Sequence, residues 1–179
     1  MKHTHKRIIE LLVLFSLIII YSIIIFQVGA DSIVSNIGIE NSYFIILIVA
    51  MVGGMSAITS ASFYGLFYVF VSGGSNFVLL SILSGVGLTI GDALFYYLGY
   101  KGRNAIIKTK YEKVFKKIQR FISNNSRIYV FGGIALYSSL PLPIPTDIVA
   151  MSAGLLKFNF KLTVIALLIG NITHLLLIS

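Results

Sequence analysis

Long uncharged apolar runs dominate the pattern of hydrophobic and polar positions along the chain. Three stretches contain no Asp, Glu, Lys or Arg: Leu11–Ala30, Asn41–Gly91 and Ile128–Thr146. Apolar runs longer than ~18 residues are typical of segments that lie within a membrane. The pattern therefore predicts an all-α integral membrane protein.

Three segments have the length of one transmembrane helix, for which ~20 apolar residues suffice. They are Ile8–Phe26, Phe77–Gly99 and Leu162–Ile178. The first follows the basic sequence "MKHTHKR", so it could also be a cleaved signal peptide that ends near Ala30. This run is 19 residues long, which exceeds the ~7–15 residues of a signal-peptide core and favours a retained amino-terminal transmembrane helix.

Two further apolar segments, Tyr43–Val71 and Ile128–Leu156, contain 29 residues each. This length is too great for one span, which needs ~20 residues, and too small for two spans, which together need ~40. A re-entrant hairpin fits, in which the chain enters the membrane, turns near mid-depth and leaves on the same side. Hairpin plus span then occurs twice, at residues 43–99 and 128–178, and the two units enter from opposite sides. Such an inverted repeat is typical of transporters.

The positions of the 14 Lys and Arg residues agree with this topology. If the amino end is cytoplasmic and both hairpins are re-entrant, every basic residue lies inside, and the outer loops carry Asp31 and Glu40 instead. Replacing either hairpin by one span violates the preference of basic residues for the cytoplasmic side. Two full spans in place of a hairpin would give the same sides, so that alternative stays open.

The net charge of +8 is therefore interpreted as a topology signal and a contact for anionic lipids, not as a nucleic-acid surface. We expect a multi-pass protein of the plasma membrane. Residues 1–42 would form the basic tail, the first span and an outer loop, and residues 43–179 the membrane domain. Residues 100–127 would link its two repeats, 43–99 and 128–179, either as an amphipathic helix on the inner surface or as a solvated basic linker.

The second hairpin contains the sequence "SSLPLPIPTDIVAMSAG", which holds all three prolines of the chain. Prolines at this spacing exclude a regular helix, and non-helical backbone at membrane depth must be buried in protein or line a wet cavity. We expect the tip of this hairpin to comprise Pro141, Pro143, Pro145 and Thr146. Asp147 would then begin the returning helix, either as a helix cap or as a transport or proton site.

Asp92 is a second acid within an apolar segment. A carboxylate at the centre of a transmembrane helix costs ~2.5–3.5 kcal/mol, so Asp92 needs a partner or water. Two interpretations of Asp92 stay open, namely a transport or proton site and a hydrogen-bonded structural acid. Small and aromatic residues near the two acids predict close helix packing at Gly87, Gly91, Tyr96, Gly99 and Gly154. The last span contains Asn171 and His174, and a lone membrane histidine is more often a packing residue than a proton relay.

Two sequences resemble a known family, the DedA or VTT (SNARE-associated Golgi) membrane proteins. "GDALFYYLGYKGR" resembles its glycine–aspartate, tyrosine and glycine signature at Gly91, Asp92, Tyr96 and Gly99. "PIPTDIVAMSAGLLKF" resembles its proline–acid hairpin. Across residues 43–179 the resemblance implies two re-entrant hairpins in inverted repeats. It also implies lipid transport between leaflets by a flippase or scramblase, with phospholipid or polyprenyl phosphate as substrate. Coupling to protons is a proposed feature of the family, and Asp92 and Asp147 would be its acidic pair.

The chain departs from the family pattern in both hairpins, and we expect a divergent member. The first hairpin lacks the usual glutamate and prolines, and the second lacks the usual arginines. Contact with lipid headgroups would therefore fall to basic residues at the membrane surface, namely Arg103, Arg127 and Lys157.

Two other function classes are alternatives to lipid transport. A non-catalytic membrane assembly or scaffold protein is the main alternative. An intramembrane aspartyl protease is disfavoured because Thr89 stands where its motif needs glycine, and because the chain has too few spans. We expect no enzyme, cofactor, metal or nucleic-acid partner. Lipids and protons are the expected partners, and the oligomeric state is open.

Overall fold

The computed structural model describes residues 35–53, 57–107, 117, 119–120, 127–140 and 146–178. These residues form helices and short turns, and no β-strand occurs among them. The helices are α1 (Ile39–Gly53), α2 (Ala57–Ser72), α3 (Phe77–Ile107), α4 (Arg127–Ser139), α5 (Thr146–Leu155) and α6 (Phe160–Leu177). The prediction of an all-α protein is confirmed. The predicted amino-terminal span, most of the basic linker and the three prolines lie outside the described residues.

Each segment predicted to be a hairpin contains two short helices. Helices α1 and α2 have 15 and 16 residues, and α4 and α5 have 13 and 10. A helix that crosses a bilayer needs ~20 residues, so these four are short for full spans. Among the described residues, two helices are long and apolar enough to cross a membrane, within Phe77–Arg103 of α3 and over Phe160–Leu177 of α6.

Helix α3 continues beyond the predicted end of its span. The sequence prediction placed that end at Gly99 and began the linker at residue 100, whereas the helix runs to Ile107. The prediction followed the apolar run, which ends where Lys101 introduces charge. No proline follows Gly99 within α3, the helix continues through Gly102, and charge ends an apolar run without ending a helix.

Helix α2 ends in the pair of backbone hydrogen bonds that defines a Schellman motif. The N–H of Ser75 donates to the carbonyl of Phe70 at 3.1 Å, and that of Gly74 donates to Val71 at 3.2 Å. Gly74 has a φ of 89°, in the left-handed region that glycine enters at little cost. The chain thereby reverses within a few residues and begins α3.

Helix α5 ends in the same way. The N–H of Phe158 donates to the carbonyl of Ala153 at 3.0 Å, and that of Lys157 donates to Gly154 at 3.0 Å. Lys157 takes the left-handed position with a φ of 56°. The two hairpin-like units are therefore connected to α3 and α6 by turns of one type.

Both long helices also begin with the same cap. The side-chain oxygen of Asn76 accepts from the N–H of Leu79 at 3.0 Å, and that of Asn159 accepts from Leu162 at 3.1 Å. An asparagine cap satisfies one of the free N–H groups of a first helical turn. The two asparagines stand 83 residues apart in the sequence, and Gly87 of α3 and Gly170 of α6 have that same separation.

The buried apolar residues of the described part of the chain form two clusters. The first apolar cluster comprises Ile46, Ala50, Phe63, Phe67, Val69, Phe70, Leu80, Leu88 and Leu175. The second apolar cluster comprises Tyr96, Ile134, Ala150, Ala153, Phe158, Ala166 and Leu167. Every helix also exposes large apolar side chains, for example Phe44 of α1 at 67% and Leu136 of α4 at 64%. Apolar surface of this extent is typical of helices in contact with lipid.

Two glycines bring the backbones of α3 and α5 into contact. A Cβ atom at Gly154 of α5 would collide with the carbonyl oxygen of Tyr96, and one at Gly99 of α3 would collide with that of Met151. Small residues that let helix backbones approach closely are typical of membrane helix packing. The position of α5 on α3 therefore depends on the absence of these two side chains.

We expect Gly154→Ala to destabilise the protein because α3 and α5 must separate to admit the methyl group. Overpacking of this kind costs ~1–3 kcal/mol. Gly132→Ala on α4 is the matched control, since no atom lies within 4 Å of its added Cβ. Thermal unfolding in detergent, followed by circular dichroism, should show a lower midpoint for Gly154→Ala and no loss for Gly132→Ala. Equal midpoints would contradict the packing described here.

Candidate functional site

Asp92 of α3 is completely buried, with 0% of its surface exposed. Each of its carboxylate oxygens accepts a hydrogen bond from a different helix. Thr146 of α5 donates from Oγ1 to Oδ1 at 3.1 Å, and Asn171 of α6 donates from Nδ2 to Oδ2 at 2.9 Å. A buried carboxylate is tolerated when such donors replace the water it has lost. The acid thus connects three helices.

Further hydrogen bonds fix the side chain of Asn171. Its Nδ2 also donates to Oγ1 of Thr89 at 3.2 Å, and Thr89 donates to the carbonyl of Gly85 at 2.7 Å. An amide nitrogen has two hydrogens, and here both have acceptors on α3. Asn171 can therefore offer Asp92 a donor but no acceptor without breaking its bond to Thr89.

The start of α5 brings a second acid to this site. Asp147 is 8% exposed, and its Oδ1 accepts from the N–H of Ile148 at 3.0 Å. This places a carboxylate in the first turn of a helix, where free N–H groups and the helix dipole stabilise negative charge. Asp147 follows Thr146 directly, and its negative charge repels that of Asp92. Thr146 itself directs its hydroxyl to Asp92.

The polar residues form one layer between the two apolar clusters. Along α3, Thr89 and Asp92 lie between Leu88 of the first cluster and Tyr96 of the second. Along α6, Asn171 lies between Leu175 of the first cluster and Leu167 of the second. We call Thr89, Asp92, Thr146, Asp147 and Asn171 the polar layer. Asp92 at its centre is completely buried, and the low dielectric of such an interior strengthens the hydrogen bonds that this carboxylate accepts.

The residues predicted to pack helices lie around this layer. Gly91 is buried beside Asp92, and a Cβ at Gly87 would come within 2.5 Å of the carbonyl oxygen of Leu47 on α1. The hydroxyl of Tyr96 donates to the carbonyl of Phe158 at 2.5 Å, in the turn that follows α5. These contacts hold α1 and the end of α5 against α3.

The three basic residues predicted to contact headgroups lie at a distance from Asp92. Arg103 is 11 residues further along α3, or ~16 Å at the rise of an α-helix, and its Nη2 donates to Oε1 of Gln119 at 2.9 Å. Arg127 is exposed at the first residue of α4. Lys157 is exposed in the turn after α5, with its Nζ 5.8 Å from the ring centre of Tyr100. The structure does not bring these three residues to the polar layer.

Sequence reasoning missed the roles of Thr89 and Asn171 as partners of the acid. The one available signal was the resemblance of Gly170-Asn171 to Gly91-Asp92, which places an amide in an apolar helix. The prolines predicted at the hairpin tip lie outside the described residues. No group of three or more His, Cys, Asp or Glu residues that could hold a metal ion occurs within the described ranges.

Comparison with known proteins gives one match. The chain matches the family model of the VTT domain over residues 42–179, which includes all of the polar layer. No curated protein and no solved structure matches the chain.

We expect Asn171→Ala to destabilise the protein by ~1.5–3 kcal/mol, the contribution of a hydrogen bond to a charged group. The same substitution should cost much less in an Asp92→Leu background, where no carboxylate remains to be satisfied. Thermal unfolding of the two single variants and the double variant gives the coupling between these positions. Additive effects would contradict the assignment of Asn171 as the partner of Asp92.

Proposed function

The chain belongs to the membrane-associated VTT domain family, and on that premise we propose that it moves lipid between the two leaflets of a membrane. The substrate would be a phospholipid or a polyprenyl phosphate, moved by a flippase or scramblase mechanism. The activity breaks no covalent bond, so we propose a transporter and not an enzyme.

The observation that carries this proposal is the complete burial of Asp92 in contact with both halves of the membrane domain. Asp92 belongs to the first hairpin-plus-helix unit, whereas Thr146 and Asn171 belong to the second. Ionisable residues within membranes are costly, and they mark transport pathways more often than they serve stability alone.

The donors around Asp92 suggest how its charge could control the second hairpin. The amide of Asn171 can only donate to Oδ2, so a proton on that oxygen would face another hydrogen. The hydroxyl of Thr146 can reverse and accept, so a proton binds more favourably at Oδ1. Protonation of Asp92 would thus change its bond to Thr146 at the start of α5.

The membrane topology forms part of the proposal. Short paired helices, matching turns and matching asparagine caps support two units of one design. We propose that both pairs of short helices are re-entrant hairpins and that the two units have opposite orientations. The amino end and the basic residues would be cytoplasmic, and the protein would cross the plasma membrane several times.

Basic residues at one end of the molecule would receive the headgroup. Arg103 follows the second-cluster residue of α3, and Lys157 follows those of α5. Arg127 precedes the second-cluster residue of α4. Lys101 has its Nζ 5.4 Å from the ring centre of Tyr97, a pairing suited to the interface between lipid and water. A phosphate would bind there first and then pass along the second hairpin towards the polar layer.

We expect Asp92→Asn and Asp147→Asn each to slow lipid exchange at least ~10-fold, or ~1.4 kcal/mol in the barrier. The protein would be reconstituted in liposomes, and exchange of fluorescent phospholipid and polyprenyl phosphate followed with and without a pH gradient. Glu40→Gln, which alters an exposed acid at the start of α1, is the control and should exchange normally. Absence of exchange by the wild type would contradict the function, and normal exchange by both aspartate variants would contradict the mechanism.

The re-entrant topology predicts which surface positions share a side of the membrane. The sequence contains no cysteine, so single cysteines can be introduced without a background. Asn41→Cys and Ser72→Cys should react with an impermeant maleimide from outside intact cells. Arg127→Cys and Lys161→Cys should react only after the cells are opened. Labelling of the two members of either pair from different sides would exclude a hairpin there.

A further inference from the structure

Two tyrosines and two lysines form a strip on the surface of α3 near its charged end. The Nζ of Lys101 lies 5.4 Å from the ring centre of Tyr97, and the Nζ of Lys157 lies 5.8 Å from that of Tyr100. The tyrosines are 55% and 44% exposed. They are three residues apart, which makes them neighbours on the helix surface. We call these four residues the lysine–tyrosine strip.

The strip extends away from the contact between the two units. Successive residues of an α-helix are rotated by ~100°, so Lys101 lies ~180° around α3 from Asp92 and ~160° from Gly99. Asp92 bonds residues of α5 and α6, and Gly99 contacts α5. Lys101 is exposed on the opposite surface of the helix. The strip therefore runs from the turn after α5 to the outer surface of α3, which the surrounding membrane would cover.

Exposed apolar side chains continue this surface towards the middle of α3. Ile90 and Leu94 are 41% and 49% exposed, and together with Tyr97 and Lys101 they have the spacing of three or four residues that defines one helix face. From Ile90 to Lys101 the helix rises ~16 Å, about half of the ~30 Å hydrocarbon core of a bilayer. The face thus has the length of one lipid leaflet.

The charge at this end of the molecule favours an anionic occupant. Of the three acids in the described ranges, Glu40 stands at the start of α1, and Asp92 and Asp147 are buried in the polar layer. No described acid therefore stands beside the strip. The basic residues of the same ranges are Lys101, Arg103, Lys117, Arg120, Arg127, Lys157 and Lys161.

A phospholipid fits both parts of this surface. Its phosphate accepts hydrogen bonds from ammonium groups and from tyrosine hydroxyls. Lysine stems and tyrosine rings are typical of the interface between lipid and water. Its acyl chain would cover Leu94 and Ile90, which a soluble phosphate or a nucleic acid would leave uncovered.

We propose that the lysine–tyrosine strip binds an anionic phospholipid on the outer surface of α3. The phosphate lies over the two tyrosine rings, with Lys101 on one side and Lys157 on the other, and an acyl chain follows Leu94 and Ile90. Because Lys157 belongs to the turn after α5, the bound headgroup connects that turn to α3.

This inference goes beyond the proposed function, because it names the class of lipid bound and a site outside the contact between the two units. Binding there requires no movement of lipid between leaflets. The test below measures which lipid lies beside α3, so its result is independent of any exchange assay.

The absence of tryptophan from the chain allows lipid contact to be measured by fluorescence. Leu94→Trp places a single tryptophan beside the expected acyl chain. Leu136→Trp is the matched control, because Leu136 is 64% exposed on a different helix, α4. Each variant would be reconstituted in phosphatidylcholine vesicles with a minor fraction of phosphatidylglycerol whose brominated chains quench tryptophan on contact.

We expect quenching in Leu94→Trp to show phosphatidylglycerol enriched ~10-fold over its share of the vesicle, since one lysine near an anionic lipid contributes up to ~5-fold. Brominated phosphatidylcholine at the same fraction should show no enrichment, and Leu136→Trp should show none with either lipid. Equal enrichment at both positions would overturn the proposal, because it would reflect a general attraction of anionic lipid to a basic protein.

Lysine variants in the Leu94→Trp background test the assigned groups. Lys101→Gln combined with Lys157→Gln should return the lipid beside α3 to the composition of the vesicle, while circular dichroism shows unchanged helix content. Lys161→Gln removes an exposed lysine of α6 outside the strip and should keep the enrichment. An equal loss in Lys161→Gln, or enrichment retained in the double variant, would overturn the assignment.

Soluble glycerol phosphate separates a lipid from a free phosphate as the occupant. Added in excess over the brominated phosphatidylglycerol, it should leave the quenching in Leu94→Trp unchanged, because it lacks the acyl chain that covers Leu94 and Ile90. Loss of the enrichment would show that the strip recognises phosphate alone and would overturn the proposal of a lipid site.

Discussion

The burial of one carboxylate among apolar helices is the constraint on which the rest of this structure depends. Asp92 has no contact with water, so its oxygens must be satisfied by donors that other helices bring to it. Thr146 and Asn171 can reach it only because the backbones approach closely. Gly99 and Gly154 permit the approach of α5, and Gly85 permits that of α6, where a side chain would collide with Ile172. The glycines therefore permit the hydrogen bonds that the polar residues donate to Asp92.

The sequence predicted the helical class and the two apolar helices that are long enough to cross a membrane, because these follow from local composition. It also singled out Asp92 and Asp147, since charge within an apolar run is visible without a structure. The partners of Asp92 could not be predicted in the same way. Asn171 stands 79 positions away along the chain, and only the packing of α6 on α3 brings it within reach.

The proposed repeat is symmetric in its framework and asymmetric in its chemistry. The 83-residue separation that relates the asparagine caps also relates Asp92 to Leu175 and Thr146 to Phe63. Leu175 and Phe63 are both completely buried in the first apolar cluster. Where one unit presents an acid and its donor, the other presents two hydrocarbon side chains. In the proposed symmetric framework, each hairpin packs against the long helix of the other unit. Only the pairing of α5 with α3 contains the buried acid.

Lys157 combines a strained backbone conformation with a positive charge. It occupies the left-handed position that ends α5, where the equivalent turn after α2 has Gly74. A side chain in this conformation costs ~1–2 kcal/mol relative to ordinary backbone geometry. Glycine would relieve this strain, yet it would leave the turn without its positive charge. The turn after α5 thus carries a strained residue and keeps its positive charge. Replacing Lys157 by glycine to thermostabilise the protein would relieve the strain and, under the proposed function, would also remove a contact for anionic lipid.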